Sequence, residues 1–203
     1  MGRDKAALRL PDGHTMHEHV ADALRMACAH ESIVIVGATQ SPGLARGSAT
    51  PVANAPSDDR ANPGQARGYV HVADIRPRAG PLGGIEALLA SNLAREYLIC
   101  PCDVPFITPD VLRLLLAQRD KPAAVFQRPG RDDFDPLPAR LHCSALPIVR
   151  RLLDNEQRSV WKLMEELPAA IIDIDAHQAA ALRNINTPED LAGFGSPQTK
   201  SKI

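Results

Sequence analysis

The chain has 203 residues, a formal net charge of −1, four cysteines and seven histidines. This length fits one α/β domain that can build a full core without disulfides. A charge so close to zero excludes a long-range field for nucleic acid or an anionic membrane, so we expect neither as a partner. The scattered cysteines and the lack of an export signal favour a cytoplasmic location with reduced thiols.

Short apolar runs alternate with segments of helical period, which predicts an α/β fold with a mostly parallel sheet. In the first half of the chain the pattern predicts helices over 15–30 and 83–94, and strands over 33–36, 70–73 and 97–100. In the second half it predicts helices over 109–120, 144–154 and 160–167, strands over 123–127, 137–141 and 171–174, and a helix start at 187–190.

Residues 38–68 do not follow this pattern. They are rich in Ala, Gly, Pro, Ser, Asn and Asp and contain almost no large apolar side chain. Such a segment cannot bury enough surface to offset its ordering entropy, so we interpret it as a mobile insertion. The alternative is an active-site lid, because the segment leaves the carboxyl end of a strand, where α/β proteins bind ligands. Residues 195–203 are predicted to be a disordered tail.

Asp103 is the first candidate for chemistry, since it follows the very apolar strand 97–100 and lies between Pro101 and Pro105. One carboxylate in that position suits Mg²⁺, which bridges phosphate oxygens and takes only one or two carboxylates from a protein. The alternative is an aspartate that caps a turn. The histidines have no H-E-x-x-H or comparable spacing, and we interpret His14, His17 and His19 as surface or packing residues.

Two further loops carry groups that suit a nucleotide. Glycines at 80, 83 and 84 lead into a predicted helix, where a phosphate or a base can approach the backbone and free N–H groups. Asn184 and Asn186 lie one residue apart at a predicted strand end. Their side chains face opposite sides of an extended backbone, so one can reach a ligand while the other braces the loop.

The first residues, Gly2-Arg3-Asp4-Lys5, are typical of the end of a phosphate-binding turn. Such a turn normally follows a buried strand that holds the loop rigid, and no strand precedes it in this sequence. The alternative is an ordinary polar terminus.

Together these motifs resemble those of the molybdenum cofactor guanylyltransferases, a family of Rossmann-like nucleotidyltransferases. Residues 1–8 resemble the end of the family's L-A-G-G-x-S-x-R-M-G-x-D-K-x-x-L motif, and residues 80–85 resemble its G-P-L-x-G-[IL] loop. Residues 100–105 are similar to its P-C-D-x-P metal loop, and residues 184–191 to its N-[IV]-N-T-P-E-[DE]-L ending. The resemblance implies a three-layer nucleotidyltransferase domain over 1–194, with the first strand missing.

The resemblance also implies an activity, the Mg²⁺-dependent transfer of GMP from GTP to molybdopterin. The products are molybdopterin guanine dinucleotide and pyrophosphate. Transient partners would be other molybdenum cofactor biosynthesis proteins and the apo-enzymes that receive the cofactor.

By the same resemblance, Lys5 and Asp103 are the catalytic residues: Lys5 contacts the GTP phosphates and Asp103 holds Mg²⁺. Asp74 falls at a GTP-contacting aspartate, and Gly37 falls where some members place an asparagine near the nucleotide. The implied GTP-binding set is Lys5, Gly37, Asp74, Gly80, Pro81, Leu82 and Asp103. The implied molybdopterin side consists of Arg158, Ser159, Asn184 and Asn186.

The amino terminus departs from the family pattern, because nothing corresponds to the strand before the glycine-rich loop or to L-A-G-G-x-S-x-R. We expect that Met1 is an internal methionine taken for the initiator; the competing interpretation is a genuinely shortened, inactive relative. The functional alternatives are cytidylyl transfer to molybdopterin and a non-catalytic relative that binds pterin or nucleotide.

Overall fold

The computed structural model describes residues 10, 12–28, 33–36, 69–185 and 190. The predicted insertion 38–68, the tail 195–203 and most of the predicted helix start at 187–190 lie outside the described residues. The domain bounds and the missing first strand therefore stay predictions. No helix within the described ranges is long and apolar enough to cross a membrane.

Helices and strands are interspersed along the described chain. The helices are α1 Met16–Ala27, α2 Gly80–Ala90, α3 Pro109–Ala117, α4 Leu146–Asp154, α5 Val160–Glu166 and α6 Ala176–Ala181. The strands are β1 Val34–Val36, β2 Val70–Val72, β3 Glu96–Ile99, β4 Ala123–Gln127, β5 Phe134–His142 and β6 Ala169–Asp173. A 3₁₀ turn, Cys143–Ala145, precedes α4.

The strands form two sheets. Strands β1 and β2 pair in parallel, with Val34 opposite Val70. The larger sheet has the order β3-β5-β4-β6, in which β5 is antiparallel to both of its neighbours and β4 is parallel to β6. Strands β3, β4 and β6 therefore point the same way, and β5 is the one reversed strand among the described ones of this sheet.

Both faces of the larger sheet are covered by helices. Along β4, Ala123 and Val125 point into a core cluster that includes residues of α2, α4 and α5. Ala124 and Phe126 point into a second cluster that includes residues of α1, α3 and α6. Side chains of a strand alternate between its faces, so four consecutive buried residues require cover on both sides. The predicted three-layer α/β class is confirmed.

Among the strands, β5 differs most from its prediction, since it spans 134–142 rather than 137–141. It contains Pro136 and Pro138, which cannot donate to a ladder and argue against a central strand. The pairing with β4 is irregular here: Val125 lies opposite Ala139, whereas Phe126 lies opposite Asp135. Residues 136–138 of β5 therefore have no partner in β4. Pro136 and Pro138 lie among them, so neither has to donate an N–H to the β4–β5 ladder.

A groove of about 760 Å³ lies at the amino ends of the strands. Val34, Val70 and Glu96, the first residues of β1, β2 and β3, all line it. Asp74 and Asp103, which follow β2 and β3, are at the other strand ends, and neither of them lines the groove. This groove is therefore not the candidate site.

Candidate nucleotide and metal site

Asp103 lies in the loop after β3 and is held from two directions. The backbone N–H of Ile185 donates to its main-chain carbonyl at 2.7 Å, and Nδ2 of Asn184 donates to its Oδ2 at 3.4 Å. Its other carboxylate oxygen, Oδ1, is buried and has no hydrogen-bond partner among the described residues. A buried oxygen without a donor suits a divalent cation, so the residues present fit a metal held at Asp103.

The thiol of Cys100, next to this loop, is unreactive at neutral pH. Burial raises the pKa of Cys100 far above its usual value, and the neighbouring Cys102 and Asp103 raise it further. The thiol is therefore protonated at neutral pH and is not a nucleophile. Cys102, in contrast, is exposed.

The start of α2 is open to an anion. Its N-cap residue is Ala79, which provides no side-chain cap, and Pro81 lies in the first turn. The unpaired N–H groups of a helix start attract phosphate oxygens. Gly80 has φ +67°, a left-handed conformation that favours glycine, and no atom lies within 4 Å of where its Cβ would be. A phosphate can approach the backbone closely at this position.

Asp74 lies two residues after β2 and is half-buried. A Cβ placed on Gly84 would lie 3.9 Å from Asp74 Oδ1 and 3.4 Å from Val36 Cγ1. Gly84 of α2 thus lies close to both the Asp74 carboxylate and the end of β1. Asp74 is placed beside the amino-terminal half of α2.

Arg158 lies beside the same loop. Its Nη1 donates to the main-chain carbonyl of Arg78 at 3.1 Å, and both arginines are exposed. The Arg158 guanidinium thus lies beside the turn that leads to Gly80. The hydroxyl of Ser159 accepts the N–H of Lys162 at 3.3 Å and caps α5, so this side chain has a structural partner.

One ionic network was missed by sequence reasoning. Arg76 Nε lies 2.9 Å from Oε2 of the buried Glu86, and its Nη1 lies 2.7 Å from Asp154 Oδ1. Hydrogen bonds to Glu86 and then to Asp154 raise the pKa of the Arg76 guanidinium. The network ties the 74–80 loop to α2 and α4. The sequence signal for this network was Glu86, the one acidic residue among the apolar residues of α2.

The structure therefore brings some of the predicted residues together. Asp103 contacts Asn184, Asp74 lies near Gly84 of α2, and Arg158 contacts the residue two before Gly80. Three predicted site residues, Lys5, Gly37 and Asn186, lie outside the described residues.

A three-layer α/β fold with an uncapped helix start and an aspartate suited to a cation is typical of a nucleotidyltransferase-like protein. A family model described as MobA-like NTP transferase domain matches residues 1–171, and the chain belongs to this family. Its fold is similar to that of molybdopterin-guanine dinucleotide biosynthesis protein A from Archaeoglobus fulgidus. That comparison has a TM-score of 0.62 and 19% identity, and it covers 94% of this chain and 88% of the other.

Curated relatives point in the same direction. "Probable molybdenum cofactor guanylyltransferase" from Flavobacterium johnsoniae is 26% identical over 123 residues, which cover 61% of this chain. "Molybdenum cofactor guanylyltransferase" from Xanthomonas euvesicatoria is 29% identical over 124 residues, which cover 60% of this chain. The chain spans 65% and 64% of the length of these two relatives.

Proposed function

We propose that this chain is a Mg²⁺-dependent guanylyltransferase that transfers GMP from GTP to molybdopterin and releases pyrophosphate. Membership of the MobA-like family and the names of the curated relatives support this reaction. Within the molecule, the observation that carries the proposal is the buried Oδ1 of Asp103 in the loop after β3, which has no hydrogen-bond partner in the described part of the chain. We assign Mg²⁺ to this oxygen.

We place the GTP phosphates at the start of α2. The N–H groups at the start of this helix, which has no side-chain cap, suit an anion, and the exposed Arg78 lies two residues before Gly80. Arg76 contributes less positive charge, because Glu86 and Asp154 neutralise it. Lys5 would add a cation on the phosphates. Gly37, Asp74, Pro81 and Leu82 complete the proposed GTP-binding set.

We place molybdopterin on the side of Asn184 and Asn186, with Arg158 and Ser159. Arg158 supports this placement, because its hydrogen bond to the Arg78 carbonyl puts a cation next to the 74–80 loop. An acceptor phosphate bound to Arg158 would lie near the α-phosphate of GTP.

The reaction needs no general base from the chain. The nucleophile is an oxygen of the molybdopterin phosphate monoester, which is already anionic at neutral pH. It forms a bond to the α-phosphorus while the bond from that phosphorus to the bridging oxygen breaks, and the electron pair leaves with pyrophosphate. Bound Mg²⁺ supplies charge neutralisation on the phosphate oxygens. The chain supplies orientation: Asn184 fixes Asp103, and the start of α2 aligns the triphosphate.

We place the reaction in the cytoplasm, in transient contact with other molybdenum cofactor biosynthesis proteins and with recipient apo-enzymes. The scattered cysteines of this chain are compatible with a reducing compartment.

Thermal unfolding with Mg²⁺ and one nucleotide at a time tests the proposal. GTP at 100 times its Kd should add about 2.7 kcal/mol of stability and raise the Tm by several degrees, more than CTP, ATP or GDP. A preference for CTP would favour cytidylyl transfer, and no response to any nucleotide would favour a non-catalytic relative. Chromatographic detection of the guanine dinucleotide then tests the transfer itself.

Asp103→Asn supplies the matched variant. We expect it to lower kcat by ~10²–10³ through lost charge stabilisation and to remove the Mg²⁺ dependence of the GTP response. Asp110→Asn is the control, because Asp110 is an exposed aspartate at the start of α3 that pairs with Arg113. A loss below about threefold in Asp103→Asn would move the metal role to another carboxylate, with Asp74 the first to test.

A further inference from the structure

Three side chains of metal-binding type converge around the start of α1. Asp12, His14 and His19 each offer one ligand atom, and these atoms lie within 4.8 Å of one another. Asp12 Oδ2 lies 2.6 Å from His19 Nε2 and 3.7 Å from His14 Nδ1. Ligand atoms of a tetrahedral Zn²⁺ site lie about 3.3 Å apart, given bonds of about 2.0–2.1 Å. Small side-chain rotations therefore complete the geometry.

The backbone holds these residues in place. The N–H of Gly13 donates to the carbonyl of Leu10 at 2.9 Å, and the N–H of Leu10 donates to the carbonyl of His14 at 2.7 Å. Gly13 has φ +87°, which permits this tight turn. Thr15 and Glu18 form a capping box at the start of α1, which fixes the helix that carries His19.

The Asp12 carboxylate is oriented toward the two rings. The backbone N–H of His14 donates to Asp12 Oδ1 at 3.1 Å, so Oδ2 faces His19. Desolvation acts to raise the pKa of Asp12, but hydrogen bonds from the His14 N–H and the His19 ring outweigh it and hold the pKa below its usual value. The carboxylate is therefore charged at neutral pH. A backbone donor on the second oxygen is a common support for a metal-binding carboxylate.

We propose that Asp12, His14 and His19 bind a divalent transition-metal cation of the Zn²⁺ class. Two imidazoles with one carboxylate favour such a cation over Mg²⁺, which prefers oxygen ligands only. Asp22 lines the same hollow, one helical turn after His19, but its carboxylate pairs with Arg25 at 3.2 Å, so we assign only the first three residues as ligands. None of these four residues belongs to the nucleotide site proposed above, so this site does not depend on that function.

A cation here would brace the turn against α1. Leu10 and Met16 flank the cluster in sequence and pack with Ile185, whose N–H binds the Asp103 carbonyl. The bound metal would thus stabilise the packing around Ile185, one of the two described residues that hydrogen-bond to Asp103.

Calorimetric titration of the tag-free full chain with Zn²⁺, in the presence of a reductant that does not bind metal, tests the proposal. We expect one site that is lost or weakened at least about tenfold in His14→Ala, His19→Ala and Asp12→Asn. His177→Ala, a change of another exposed histidine, and Cys102→Ser, a change of an exposed thiol, should leave the affinity unchanged.

Thermal unfolding keeps the test valid if a variant folds less well. Zn²⁺ should raise the Tm of the unaltered chain and of His177→Ala, but not of the three cluster variants, and Mg²⁺ should not replace it. Equal Zn²⁺ affinity in the unaltered chain and the cluster variants, or no binding to the unaltered chain, would overturn the proposal.

Discussion

Asn184 donates a hydrogen bond from Nδ2 to Oδ2 of Asp103 at 3.4 Å, although 81 positions separate the two residues along the chain. The bond occupies one carboxylate oxygen and leaves Oδ1 buried without a partner among the described residues. The amide thus orients the carboxylate, and the free oxygen is the one suited to a cation.

Asn184→Asp should make folding dependent on a divalent cation. The change sets a second carboxylate about as close to Asp103 as the amide is now, and two like charges at that distance disfavour joint ionisation. We expect a lower Tm in chelator, with a rise on adding Mg²⁺ that exceeds the rise in the unaltered chain. Asn184→Ala removes the hydrogen bond without adding charge and should show no enlarged response. An equal response to Mg²⁺ in both variants would contradict this arrangement.

Gly80→Ala should weaken GTP binding more than its effect on stability explains. Gly80 and Gly130 both have positive φ, +67° and +73°, and at both an added Cβ meets no atom within 4 Å. Each change to alanine should therefore cost a similar 1–2 kcal/mol of strain. Only Gly80 lies at the open start of α2. We expect a Kd for GTP at least tenfold higher in Gly80→Ala and unchanged in Gly130→Ala. Equal affinities of the two variants would show that the GTP phosphates do not bind at this loop.

Arg76→Ala should lower the free energy of unfolding by about 2–3 kcal/mol, because it leaves the buried Glu86 without its nearest cation. Arg150, at 3.6 Å from Glu86, compensates in part. Arg119→Ala is the control, since Arg119 is 73% exposed and lies 3.9 Å from Glu96. Its change should stay within about 0.5 kcal/mol. Urea unfolding of both variants measures the difference, and similar losses would show that the Glu86 network contributes no more than a surface pair.

Alkylation should distinguish Cys100 and Cys102 in the segment that follows β3. The raised pKa of Cys100 keeps its thiol protonated, whereas Cys102 is exposed. Since the thiolate is the reactive form, iodoacetamide at pH 8 should modify Cys102 at least tenfold faster. Peptide mass spectrometry reads both rates. Addition of Mg²⁺ and GTP should slow the reaction of Cys102, and unchanged labelling would place the nucleotide away from this loop.

Local patterns determined most elements of this protein. Thr108 and Pro109 predicted the start of α3, where Thr108 Oγ1 accepts the N–H of Val111 at 3.4 Å. Strand β4 has the predicted bounds, 123–127. Caps, proline positions and hydrophobic period depend on residues within a few positions of each other, so the sequence alone specifies them. The P-C-D-x-P pattern likewise marked Asp103 before its surroundings were known.

Tertiary structure decided what the local pattern could not. The irregular pairing of β4 with β5 made room for two prolines that argued against a central strand. Asp103 gained its amide partner from the far end of the chain. The histidines at 14 and 19, interpreted as surface or packing residues, face Asp12 because the turn at Gly13 folds back onto α1. Each of these relationships depends on the distance between side chains in space, which packing sets and spacing along the chain does not.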